Sequence, residues 1–80
     1  MASDMPYRDF ARKFRHFGVE IETQKRGSHV NMSKVVGGQK CGYPVPVHNN
    51  QVRDWYVRAA RKRFCLLPKD GVSDEAFRRA

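Results

Sequence analysis

The stretch VEIETQKRGSHVNMSK, residues 19–34, decides how this chain folds. Its first six residues alternate. Val19, Ile21 and Thr23 fall on one side of an extended chain, and Glu20, Glu22 and Gln24 on the other. Lys25, Arg26 and Gly27 then interrupt the pattern, and the glycine suits a turn. From Ser28 the alternation resumes, with Val30 and Met32 inward and His29, Asn31 and Ser33 outward. A period of two on both sides of a short turn predicts an antiparallel hairpin. One of its faces is apolar, and the other carries carboxylates and a histidine.

Working outward, residues 5–18 (MPYRDFARKFRHFG) place Tyr7, Phe10, Ala11, Phe14 and Phe17 at the spacing of one helical face. Asp4 is the expected N-cap, Pro6 belongs in the first turn, and Gly18 is the expected stop. After the hairpin, VVGGQKCG (residues 35–42) reads as a second turn and YPVPVH (residues 43–48) as a third strand. Pro44 and Pro46 cannot donate to a ladder, so that strand belongs at a sheet edge.

Residues 49–64 (NNQVRDWYVRAARKRF) read as a second helix capped by Asn49 or Asn50. Its expected buried stripe is Val52, Trp55, Tyr56, Ala59 and Ala60, with Arg53, Arg58, Arg61, Lys62 and Arg63 on the remaining surface. A short third helix follows over about 73–79, capped by Ser73 and anchored by Phe77. The expected fold class is α+β, a two-layer α-β-β-β-α sandwich with a short C-terminal helix, two amphipathic helices covering one face of a three-stranded sheet. Eighty residues make a single domain, 1–80, with its core over about 7–67.

Sixteen Lys and Arg against eight Asp and Glu leave a formal charge of +8. A domain this basic draws polyanions to itself, nucleic acid first and an acidic protein second. The two cysteines, Cys41 and Cys65, lie far apart, and with the three histidines they match no zinc-ligand spacing, so no metal is expected. The N-terminal residues carry no hydrophobic run, and no segment reaches membrane-spanning length. The expected setting is therefore the cytoplasm, with reduced thiols.

Strand parity places His29 and His48 on the same side as Glu20 and Glu22, with Lys25, Arg26 and Lys34 close by in sequence. Two imidazoles, a carboxylate and cations are the parts needed to cut RNA. A base takes the 2′-hydroxyl proton, an acid protonates the leaving 5′-oxygen, and cations stabilise charge building on phosphate. Imidazole can fill either proton-transfer role near neutral pH. Taken singly, each residue has a plainer use. Gly27 and Ser28 serve a turn, His48 caps a helix, and an exposed histidine is a polar surface residue.

In combination, RGSH (residues 26–29) opening the second strand, VPVH (residues 45–48) closing the third, and GVSDEAF (residues 71–77) near the end resemble the HicA toxin family of bacterial type II toxin–antitoxin systems. The resemblance runs from about Tyr7 to Phe77. It implies a double-stranded-RNA-binding-domain-like fold and a metal-independent mRNA interferase without cofactors. Its one essential histidine maps onto His29. It also implies a HicB-like antitoxin that covers the active face. On this reading Gly27 and Ser28 shape the approach to His29, Lys25, Arg26 and Lys34 contact phosphate, and His48 is a second candidate group. The VVGGQKCG loop and the late position of RAARKR (residues 58–63) depart from the pattern. The alternative from the residues alone is a basic RNA-binding module without catalysis.

Overall fold

The computed structural model describes residues 4–23 and 29–80. The expected turn at Lys25–Gly27 lies outside the described residues. The elements are β1 (Met5–Pro6), α1 (Tyr7–His16), β2 (Glu20–Thr23), β3 (His29–Val36), β4 (Gln39–Pro46), β5 (Gln51–Val52), α2 (Asp54–Arg63), a 3-10 turn at Pro68–Asp70, and α3 (Asp74–Arg79). β2, β3 and β4 form an antiparallel sheet in that order, with β3 central. The expected α-β-β-β-α layout and short C-terminal helix are present, joined by a two-stranded β1–β5 pair that periodicity did not predict.

One face of the sheet is packed and the other is open. Val30 and Met32 of β3 and Val45 of β4 are buried with Phe10 and Phe14 of α1 and with Val57, Ala60 and Phe64 around α2. In β3 the residues that alternate with them, His29 and Asn31, are exposed. Burying a large apolar side chain is worth about 1.5–3 kcal/mol, so the packed set fixes which face is inward.

β4 is longer than expected, because only Gly37 and Gly38 form the turn before it. Their φ angles of +59° and +83° suit a two-residue hairpin whose twist matches the flanking strands. Residues 35–36 and 39–42 therefore pair in the ladder rather than forming a loop. As Pro44 and Pro46 require, β4 lies at an edge. Counted from the Gly37–Gly38 turn, Pro44–Asn31 and Pro46–His29 fall at pairs without ladder bonds, where a missing N–H is tolerated and side chains approach most closely.

Both helix starts differ from expectation. Pro6, rather than Asp4, occupies the N-cap position of α1, and the Tyr7 N–H donates to the Asn50 carbonyl at 2.8 Å. Asn49 and Asn50 do not cap α2. With φ of +51° and +60° they form a tight turn closed by reciprocal His48–Gln51 backbone bonds of 2.9 and 2.8 Å. Asparagine tolerates the left-handed region, which suits such a turn as well as it suits a cap. Val52 is thus buried from a strand, and α2 begins after Arg53. The buried phase of α2 is set by Val57, Ala60 and Arg61, which turns Trp55 outward, 57% exposed.

Helix ends α1 and α2 share one device. At α1 the Gly18 N–H bonds the Arg15 carbonyl and the Val19 N–H bonds the Phe14 carbonyl, with Gly18 at φ +86°. At α2 the same two bonds run from Cys65 to Lys62 and from Leu66 to Arg61. This is the Schellman arrangement. Here Cys65 fills the left-handed position at φ +56°, where a Cβ is unfavourable.

Arg61 is buried, contrary to its expected surface place. Its guanidinium donates to the carbonyls of Leu66 (2.9 Å) and Val72 (3.2 Å) and to the Asp74 carboxylate (2.9 Å), and it lies 4.6 Å over the Phe77 ring. Phe77 in turn packs edge-on to Phe14 and stacks on Phe17. Lys13 is likewise buried and donates to the Arg78 and Ala80 carbonyls at the C-terminal end of α3. Ser73 caps α3 as expected, accepting from the Ala76 N–H at 3.0 Å.

Two outcomes follow for stability. Arg61→Ala strips the partners from two carbonyls and a carboxylate, and is expected to cost about 2–4 kcal/mol with faster amide exchange over residues 66–80. Denaturant titration with mass-resolved exchange checks both. Cys65→Gly relieves the left-handed Cβ and is expected to stabilise by about 1 kcal/mol, a rise of about 4–8 °C in melting temperature. A fall in melting temperature would contradict the conformational argument.

Candidate functional site

The open face is built by strand parity. His29 is the first residue of β3 and is exposed. It stands opposite Pro46, whose ring gives it a stiff neighbour across the ladder. Asn31, next on the same face, pairs with Glu22 on one side and Pro44 on the other. Glu22 is therefore diagonal to His29, with Cβ atoms at a separation of about 7–8 Å in such a sheet, a span within reach of long side chains. Ser33 follows, between Glu20 and Gly42, and then the exposed Val35 opposite Lys40. No helix covers this face among the described residues.

The sequence-predicted residues are only partly brought together. Lys25, Arg26, Gly27 and Ser28 lie outside the described residues. Lys34 is described and does not join His29. It shares the parity of Val30 and Met32, and its Cε lies 3.8 Å from where a Cβ on Gly18 would stand. Its stem thus runs toward the C-terminal end of α1, where a cation is favoured by the helix dipole. Five residues of strand also separate it from His29, about 17 Å.

His48 is exposed two residues beyond Pro46, so it lies toward the same end of the sheet as His29. Its backbone closes the Asn49–Asn50 turn through the two bonds with Gln51. That structural work belongs to its N–H and carbonyl. The imidazole makes no hydrogen bond or ion pair among the described residues. The helix-capping role considered for it is not what the structure shows, since α2 starts at Asp54. As to metals, no group of three or more His, Cys, Asp or Glu side chains is positioned to hold an ion among the described residues.

Among the described residues, most exposed cations lie off this face. Arg8, Arg12 and Arg15 stand on α1, and Arg58, Lys62 and Arg63 on α2, all on the helical layer. Arg12 pairs with Asp9 and Arg58 with Asp54, each at 2.9 Å within its own helix. Trp55 sits among the α2 cations, a position the sequence reading put in the core. The signal that locates it is the phase of Val57, Ala60 and Phe64, which share one helical face and put Trp55 opposite them.

No family model, curated protein or solved structure matches this chain. No helix is long and apolar enough to cross a membrane among the described residues.

Because His48 supports its turn through backbone atoms, His48→Ala is expected to change stability by less than about 0.5 kcal/mol. Thermal denaturation of the variant beside the wild type checks this. Any effect of that substitution on chemistry is then attributable to the imidazole.

Proposed function

We propose that this chain is a HicA-type toxin, a metal-independent mRNA interferase that acts in the cytoplasm and is held inactive by a HicB-like antitoxin seated on its open face. The observation that carries the reading is His29, exposed at the first residue of the central strand on the face no described helix covers. The α-β-β-β-α element order and the sequence positions of RGSH and VPVH support it, and a double-stranded-RNA-binding-domain-like fold is part of the proposal.

His29 is the general base. It removes the proton of the 2′-hydroxyl, the 2′-oxygen attacks the adjacent phosphorus, and the bond from phosphorus to the 5′-oxygen breaks. The leaving oxygen takes a proton from His48 or from water. The products are a 2′,3′-cyclic phosphate and a 5′-hydroxyl. Glu22, diagonal to His29, offers a carboxylate able to orient the ring. Lys25 and Arg26 immediately precede the site in sequence and are the phosphate contacts of this scheme. Lys34, directed toward α1, takes no part in it.

The test is purified protein with messenger RNA in EDTA, wild type beside His29→Ala. Cleavage with cyclic-phosphate ends is expected from the wild type, and a rate at least about 100-fold lower from the variant, the usual scale of losing a general base. A variant cutting at the wild-type rate refutes the assignment. RNA that is bound yet left intact by the wild type favours the non-catalytic binding module instead.

A further inference from the structure

Trp55, the single tryptophan of the chain, is more than half exposed on a helix whose Val57 is buried and whose Tyr56 is half-buried. At 100° per residue, Trp55, Arg58, Ala59 and Lys62 fall within an arc of about 100°, opposite the buried face of α2. The Tyr56 ring stacks beside the indole, with centroids 4.0 Å apart and planes 28° from parallel. Ala59, one turn on, is small and leaves the approach to the indole open. Arg63 flanks the stripe on the β4 side, its Nε donating to the Gly42 carbonyl at 3.1 Å, which holds that cation in place.

Exposing an indole to water is unfavourable, and nothing in the fold of the described residues requires it. Its surroundings indicate what it meets. The exposed side chains around it are cationic, and Asp54, the one acid of this helix, is neutralised by Arg58 at 2.9 Å. An aromatic plane bordered by cations at one-turn spacing is the combination that binds single-stranded nucleic acid, with bases stacking on the ring and phosphates meeting the cations. A protein-binding hot spot would also use tryptophan, but the net positive border favours a polyanion.

We infer that the Trp55–Lys62 stripe of α2 is a single-stranded nucleic-acid subsite in which a base stacks on Trp55 and the neighbouring phosphates pair with Lys62 and Arg63. It rests on the reading of the chain as RNA-directed and adds to it a binding surface on the helical layer, separate from the His29 face. Strand held there is gripped away from the bond that is cut.

The indole is also the reporter. Single-stranded DNA, which lacks the 2′-hydroxyl and is not cleaved, is titrated into the full chain while tryptophan emission and the anisotropy of a labelled strand are followed together. Saturable quenching in step with anisotropy is expected. Trp55→Leu is expected to bind the labelled strand about 5- to 100-fold more weakly. Lys62→Gln is expected to lower the salt dependence by about 0.7 in log–log slope. Binding without quenching, or a Trp55→Leu variant that binds as the wild type does, overturns the subsite, as does emission that responds only to a protein partner. Circular dichroism confirms that the variants are folded. Because the readout is binding to an uncleavable strand, its failure is distinct from failure of the His29 assignment, which is read by cleavage.

Discussion

Everything in this small fold hangs on the central strand sending alternate residues to opposite sides. Val30 and Met32 go beneath the helices, where Phe10, Phe14, Val45 and Phe64 close around them. The two-residue repeat then leaves His29 and Asn31 no choice but the other side. A slip of one residue would bury an imidazole and an amide and expose a valine and a methionine. The packing that holds the domain together and the placement of its candidate reactive group are therefore one constraint.

The helical layer is fastened at its ends. Two Schellman turns redirect the chain after α1 and α2, and Arg61 joins the second of them to the residues that follow. A buried guanidinium is costly unless each direction of its fork finds a partner. Here two carbonyls, a carboxylate and an aromatic face supply them. The same residue type therefore does opposite things on one helix, with Arg58 solvated and Arg61 enclosed.

That contrast explains what could be read from the sequence. The strand faces were legible because alternation is local and both flanks of residues 24–28 show it. The α1 face, the edge position of the prolines and the Ser73 cap were legible for the same local reason. Arg61 and Lys13 were not, since a cation on a helix looks solvated until a distant segment supplies its acceptors. Asn49–Asn50 misled because asparagine fits a cap and a left-handed turn equally well. That error extended the expected helix by a turn and put Trp55 in the core. At the site, the outward direction of His29 came from parity alone. The departure of Lys34 from it was legible in the same parity, which Lys34 shares with Val30 and Met32, and only its approach to the end of α1 needed the assembled fold.

The proline pair on β4 bears on how copies of this chain meet. Outward-facing positions of that strand have no N–H at Pro44 and Pro46, and the Gly42 carbonyl is already taken by Arg63. A neighbouring strand would find too few groups there to zip onto. The opposite border, β2, spans four residues among those described and keeps its amides. A sheet with one competent border can join a second copy at most, back to back along that border, and the pair then presents two blocked margins. Sheet-to-sheet growth through these borders is thus self-terminating.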